Sequence, residues 1–251
     1  MANILKLPGG GNLIGGGSEE KGAMLSFSEE LETGLEVTGS RVRIENFHFK
    51  GEGLVRHLIR LVGVGFVRVR TCYFDSPRQE GPEAAAIFGD STLHLTIEHN
   101  HFAVANARSI DLREANTAGG AGYGTNVSWI QHNTFGNCGQ AAAAVSGDVT
   151  IRANSFDSPL RGERGDDGVA IILGDVSQGP VRIRDNYFEL SQEKTARGPI
   201  AAVRVVRIRL GDSRRHQRLF LAGALYQELP TVLLAEVQRL RKEVDSLKER
   251  S

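Results

Sequence analysis

The stretch DSPLRGERGDDG (157–168) has the residue types best suited to acid–base catalysis. Its candidate carboxylates are Asp157, Glu163, Asp166 and Asp167. Two carboxylates about 5–9 Å apart can hydrolyse a glycosidic bond. However, FDSP occurs at both 74–77 and 156–159, and Asp or Ser before Pro commonly opens a turn. We therefore predict a structural role for Asp157 and no catalytic residue, so the chain is expected not to be an enzyme.

Histidines are the second group of residues that could carry chemistry. His99 and His132 occupy equivalent places in two repeats, and His101 follows two residues after His99. Such a cluster could bind a metal, but no Cys, Asp or Glu completes a tetrahedral set at a motif-like spacing. We therefore predict a partly exposed histidine stack, no metal site and no cofactor.

The histidines lie in a segment that recurs along the chain. Its apolar and polar residues alternate, and it closes on Phe. The copies are VRIENFHF (42–49), VRVRTCYF (67–74), LTIEHNHF (95–102), SWIQHNTF (128–135), VTIRANSF (149–156) and VRIRDNYF (181–188). Their uneven spacing indicates a solenoid with loops of variable length.

Aligning the copies places Asn and Phe in two columns. Asn tolerates a left-handed bend, and stacked Asn side chains can pass hydrogen bonds between neighbouring copies. The Phe side chains should point inward and stack. The Asn column holds Phe47 and Cys72 in the first two copies. The predicted ladder residues are Asn100, Asn133, Asn154 and Asn186, with Phe74, Phe102, Phe135, Phe156 and Phe188.

Shorter apolar segments lie between these copies, so each repeat unit is predicted to contain a strand, a turn, a second strand and a second turn. Examples are AAAIFGD (84–90) and GVAIILGD (168–175), which end in the turn dipeptide Gly-Asp. Apolar residues recur every second position and are often β-branched, which favours strands over helices. Short strands of this kind satisfy their backbone by stacking on neighbouring units as parallel strands.

This pattern resembles the right-handed parallel β-helix of phage tailspikes and virion surface spikes. The resemblance covers about residues 35–210. We therefore predict an all-β, single-stranded parallel β-helix (a solenoid). Residues 1–34 are predicted as a glycine-rich cap or docking segment, for which a short helix and an entry strand are both open at 24–37, and residues 211–229 as a linker.

Residues 230–251 are predicted to form a parallel, oligomerising coiled-coil helix. Apolar residues recur at spacings that alternate between four and three, which places Val at the a positions and Leu at the d positions of a heptad repeat. Opposite charges at g and e fit a parallel, in-register assembly. An amphipathic helix packed on its own β-helix is the alternative. The residues of the seam are Leu233, Val237, Leu240, Val244 and Leu247, and the flanking charges are Glu236, Arg241, Glu243 and Lys248.

Composition narrows the possible partners. The formal net charge is zero, with 30 basic and 30 acidic residues, which argues against a dedicated nucleic-acid or anionic-membrane binder. No apolar run is long enough for a transmembrane helix, and glycines interrupt any signal-like N-terminal segment. Two cysteines cannot make a disulfide framework, and Cys72 is expected to be a buried thiol.

The resemblance implies a structural protein of a phage-like virion, made in the host cytoplasm. Val at a and Leu at d nominally favour a dimer, but similarity to tailspikes favours a homotrimer. The N-terminal segment would contact other virion proteins. A stripe at Tyr73, His101 and Tyr187 would face outward and bind host glycans. The alternatives are a tailspike-type polysaccharide hydrolase or lyase on the same fold, and an adhesin-like surface solenoid.

Overall fold

The computed structural model describes thirteen stretches of the chain. They are residues 5–16, 23–27, 31–52, 55–75, 84–104, 107–113, 127–136, 143–145, 147–157, 169–173, 181–189, 201–205 and 220–221. Every regular element in them is a β-strand. In these stretches no helix is long and apolar enough to cross a membrane.

The strands, numbered along the chain, form three sheets, and neighbouring strands in each sheet run parallel. Sheet A contains β1 (Leu5–Leu7), β4 (Leu31–Val37), β7 (Val55–Val62), β10 (Ala85–Asp90), β13 (Arg108–Arg113), β16 (Ala143–Val145), β19 (Val169–Leu173) and β22 (Ala201–Val205). Sheet B contains β2 (Asn12–Ile14), β5 (Arg43–Glu45), β8 (Arg68–Arg70), β11 (Thr96–Glu98), β14 (Ser128–Gln131), β17 (Val149–Arg152), β20 (Val181–Arg184) and β23 (Phe220–Leu221). Sheet C contains β3 (Ala23–Phe27), β6 (Phe47–Gly51), β9 (Tyr73–Asp75), β12 (His101–Ala103), β15 (Thr134–Gly136), β18 (Ser155–Asp157) and β21 (Tyr187–Glu189).

The chain visits the sheets in a fixed rotation, so each strand pairs with the strand three places further along. For the described residues, the prediction of an all-β fold of stacked parallel strands is confirmed, and the arrangement is compatible with a parallel β-solenoid. Each complete turn through the three sheets is called a rung below.

Each rung contains three strands, whereas the sequence predicted two. The difference lies in the recurring segment itself, which bends between its apolar half and its Phe. In the third copy, Thr96–Glu98 belongs to sheet B and His101–Ala103 to sheet C. An unbroken run of alternating residues does not reveal a corner, because two residues in the bend are enough to change the strand direction.

The sequence predicted that the ladder Asn adopts the left-handed backbone of that bend. In the structure, the residue directly before each ladder Asn adopts it instead. Positive φ angles between 50° and 60° occur in this column at Asn46, Thr71, His99, His132, Ala153 and Asp185. The ladder Asn follows and is buried. It is therefore selected for the hydrogen bonds of its side chain and not for its tolerance of a left-handed backbone.

The three sheets begin within the predicted cap. β1, β2 and β3 are the first strands of sheets A, B and C, and they pair with β4, β5 and β6. At 24–37 the chain forms two strands, Ala23–Phe27 and Leu31–Val37. The described part of the N-terminal segment therefore covers the strand edges of the next rung, which would otherwise be open to pairing.

One apolar core runs through the interior of the coil. Sheet B contributes a column of Ile and Val, in which Ile44, Val69, Ile97, Ile130 and Ile151 are fully buried. Complete burial of one such side chain contributes about 1.5–3 kcal/mol. Because every rung supplies a residue to each column, the core is continuous and the outer faces of the sheets lie in register.

Candidate functional site

The four ladder Asn side chains form one continuous hydrogen-bonded column. Asn133 Oδ1 accepts a hydrogen bond from the main-chain N–H of Asn100 at 3.0 Å, and a second from Asn100 Nδ2 at 3.0 Å. Asn133 Nδ2 donates in turn to Asn154 Oδ1 at 3.1 Å and to the Ile97 carbonyl at 2.9 Å. Asn154 and Asn186 continue the same pattern. Asn100, Asn133 and Asn154 therefore each bond to buried groups in both neighbouring rungs, and Asn186 bonds to the rung before it.

Cys72 occupies the Asn position one rung earlier. Its main-chain N–H donates to Asn100 Oδ1 at 2.9 Å, and its Sγ lies 3.7 Å from the Ile44 carbonyl, the group that corresponds to the carbonyl bonded by each Asn. Burial raises the pKa of the Cys72 thiol to about 12. A neutral thiol can take this place because it is small and donates weakly.

The Phe column packs beside the Asn column. Rings from Phe49 to Phe188 stack along sheet C, with centroids 4.7–5.1 Å apart and planes within 8° of parallel. Phe74, Phe102, Phe135 and Phe156 are almost completely buried, and Phe188 is half-buried. Both columns therefore stabilise the stacked strands, and the buried members are not available to a ligand.

The predicted glycan stripe lies on the outer face of sheet C. The register aligns His48, Tyr73, His101, Thr134, Ser155 and Tyr187. The rings of Tyr73 and His101 stack at 4.8 Å, almost parallel. Tyr187 is 60% exposed, but Thr134 and Ser155 separate it from the other rings. The stripe therefore offers one stacked group and one isolated ring.

The three predicted histidines divide between two surfaces. His99 and His132 stack at 5.1 Å on the corner between sheets B and C, whereas His101 stacks on Tyr73 in sheet C. Within the described stretches, no group of three or more His, Cys, Asp or Glu is placed to hold a metal ion.

Two predicted regions lie outside the described residues. The first is the carboxylate stretch beyond Asp157, with Glu163, Asp166 and Asp167; Asp157 itself accepts a 2.6 Å hydrogen bond from the Ser155 hydroxyl. The second is the whole coiled-coil prediction, namely Leu233, Glu236, Val237, Leu240, Arg241, Glu243, Val244, Leu247 and Lys248.

A polar cluster on the outer face of sheet A was missed by the sequence reasoning. Its centre is Asp111, which is 2% exposed and pairs with two arginines. Arg108 approaches its Oδ2 at 2.9 Å, and Arg113 binds both of its oxygens, at 2.7 and 3.1 Å. A buried carboxylate held by two guanidiniums is firmly oriented, because four charge-assisted hydrogen bonds fix its position.

Aromatic rings complete this cluster. The imidazole of His57 stacks on Phe88 at 4.4 Å, and the Arg113 guanidinium lies 5.4 Å from the centroid of the same ring. Burial, together with Arg56, Arg60 and Arg113, lowers the pKa of His57 to about 4, so its ring is neutral at pH 7. His57 and Asp111 lie two strands apart in sheet A, with Phe88 on the strand between them, and the carboxylate is already paired with its two arginines.

The sequence contains a signal for this cluster. In four successive rungs, two outward residues flank two inward residues, and all but Phe88 of the outward residues are polar or small: TGLE (33–36), HLIR (57–60), AAIF (85–88) and RSID (108–111). Leu58 and Ile59 are both fully buried, although neighbouring residues of a straight strand point to opposite faces. The strand therefore bends there, and residues three apart come together on its outer side.

Comparisons with known proteins found no matching family model, no matching curated protein and no matching solved structure.

Proposed function

We propose that this chain is a non-enzymatic structural protein of a phage-like virion. In this proposal it forms a homotrimeric, right-handed β-helical spike or capsid-decoration protein, made in the host cytoplasm. The C-terminal helices join the three copies, and the N-terminal segment docks on other virion proteins. The outer stripe of sheet C binds host glycans.

The observation that carries the proposal is the uninterrupted pair of internal columns. Asn and Phe repeat through successive rungs, so hydrogen bonds and stacked rings run along the axis without a break. Such a core resists bending, because a bend would have to open several of these contacts together. A stiff rod with in-register outer faces suits a particle spike that must hold a binding surface away from its base.

The stripe supports glycan binding through the chemistry of its rings. The C–H face of a sugar ring is apolar, so stacking it on an aromatic ring removes apolar surface from water and lowers the free energy. Tyr73 and Tyr187 are four rungs apart, which is about 19 Å at the usual spacing of parallel strands. This separation suits an oligosaccharide of several units and not a single sugar.

Solution mass tests the assembly. The full-length chain is expected to be a trimer by light scattering, and a chain ending at residue 229 is expected to be a monomer. A trimer that persists without residues 230–251 would place the interface on the rod and remove the role proposed for the helix. A full-length monomer would contradict the spike.

Binding to polysaccharides from candidate hosts tests the function. The double variant Tyr73→Ala with Tyr187→Ala should weaken binding at least tenfold, whereas Thr134→Ala, between them on the stripe, should retain most of it. Equal binding by all three chains would contradict a role for the stripe. Release of reducing ends from the polysaccharide would instead support the hydrolase alternative.

A further inference from the structure

A second surface that neither the sequence analysis nor the proposed function uses lies where the outer face of sheet B meets sheet A. We call it the arginine face. It combines cations with stacked rings and consists of Arg41, Arg43, Phe66, Arg68, Arg70, His94 and Trp129.

Its residues come from neighbouring rungs that are held in register. Arg43 pairs with Arg68 across β5 and β8, and the next outward column pairs Glu45 with Arg70. The Phe66 ring stacks on His94 at 4.7 Å, and His94 lies 6.3 Å from the Trp129 ring. Three rings in successive rungs therefore border a group of guanidiniums spaced at about 4.8 Å, the distance between strands.

The cations are only partly neutralised. Arg68 and Arg70 share one carboxylate, Glu98, at 3.2 and 4.0 Å, and that side chain is 10% exposed. Arg41 and Arg43 are exposed, and neither makes an ion pair with any residue that the structure describes. The face is therefore positive, although the whole chain has a formal net charge of zero.

The Phe66 side chain contributes little to folding stability, because most of its ring remains in contact with solvent. It is 55% exposed and has a φ of 57°, in the left-handed region where Gly and Asn are favoured. A bulky residue in this region costs about 1–2 kcal/mol. Arg41, His94 and Val127 also have a positive φ, so this backbone belongs to the corner, and the feature specific to Phe66 is a large ring left mostly exposed, as at binding surfaces.

We propose that the arginine face binds an acidic polysaccharide, with sugar rings stacked along Phe66, His94 and Trp129 and sugar carboxylates paired with the arginines. Guanidinium and carboxylate groups form paired, charge-assisted hydrogen bonds. Glu45 and Glu98 lie among the cations, which suits a polymer with hydroxyls between its charges better than a nucleic acid with a phosphate on every unit. This inference does not depend on a virion role or on the sheet C stripe.

Three ligands test it with the full-length chain: polygalacturonate as the acidic polysaccharide, dextran as a neutral one and single-stranded oligothymidine as the nucleic acid. Polygalacturonate should bind, and its affinity should fall as salt rises, because exposed charges are screened. Dextran should bind at least tenfold more weakly. Tighter binding of oligothymidine than of polygalacturonate, or the absence of polygalacturonate binding, would overturn the proposal.

Variants locate the site. Arg41→Gln with Arg43→Gln should weaken polygalacturonate binding at least tenfold, whereas Arg56→Gln, an exposed arginine of sheet A paired with Glu32, should not. Phe66→Asn should also weaken binding at least fivefold while the melting temperature stays equal or rises, because Asn tolerates this backbone. Loss of binding in Arg56→Gln to the same extent, or unchanged binding in both face variants, would refute the assignment.

Discussion

At the scale of single residues, the ladder depends on amides that serve as donor and acceptor together. Asn133 illustrates this, because it bonds to groups in the rung on each side. The alignment of Asn residues could be predicted from the sequence because their spacing to the closing Phe is constant. Their role in the bend could not be predicted, because the corner adopts the same backbone with His99, Ala153 or Asp185.

Asn133→Ala is therefore expected to destabilise the fold by about 3 kcal/mol, since the variant leaves the buried Asn100 N–H without its acceptor and removes the side-chain bonds to the Ile97 carbonyl and to Asn154. Chemical denaturation measures the change. Thr134→Ala, the neighbouring residue on the outer face, is the matched control and should change stability by less than about 0.5 kcal/mol. Equal losses in the two variants would mean that the amide column contributes little.

Cys72 offers a test of burial at the same scale. Because burial raises the pKa of its thiol to about 12, the reactive thiolate is scarce at pH 8. Alkylation followed by peptide mapping should leave Cys72 unlabelled in the native protein and label it fully after denaturation. Rapid labelling of native Cys72 would show that the third rung is open.

At the scale of elements, the alternation of apolar residues predicts parallel strands but conceals where a strand bends. The corner within each recurring segment and the bend between Leu58 and Ile59 both interrupt a regular pattern without a Gly or Pro to mark them. For the same reason the sequence did not place His57, Phe88 and Asp111 on one outer face of sheet A. Only the bend places residues three apart on one side of the strand.

His57 makes this bend sensitive to pH. Its pKa is about 4 in the folded protein and about 6.5 when unfolded, so the unfolded chain binds more protons between these values. The contribution of His57 to the free energy of unfolding is therefore fully present above pH 6.5. It decreases by about 3 kcal/mol as the pH is lowered towards 4. Burial is the main cause; Arg56, Arg60 and Arg113 add to it and Asp111 opposes it.

Denaturation curves between pH 4 and 7 measure this effect. In His57→Phe, which retains the stacking on Phe88, the loss of stability on acidification should be smaller than in the wild type by about 3 kcal/mol. Parallel profiles for the two proteins would show that His57 is not held neutral by its surroundings.

At the scale of the whole molecule, the in-register stacking of rungs is the claim on which both proposed surfaces depend. The sheet C stripe and the arginine face exist only because equivalent residues of successive rungs lie side by side. A slip of one residue would exchange inward and outward positions and would bury the rings and guanidiniums.

Disulfide trapping measures this register most directly. Paired residues of neighbouring parallel strands are about 4.8 Å apart, within reach of a disulfide, whereas residues two rungs apart are separated by about 9.6 Å. With Cys72 and Cys138 replaced by Ser, His101→Cys with Thr134→Cys should form a disulfide readily, and His101→Cys with Ser155→Cys should not. Failure of the first pair to form a bond, or equal bonding in both pairs, would contradict the stacked coil.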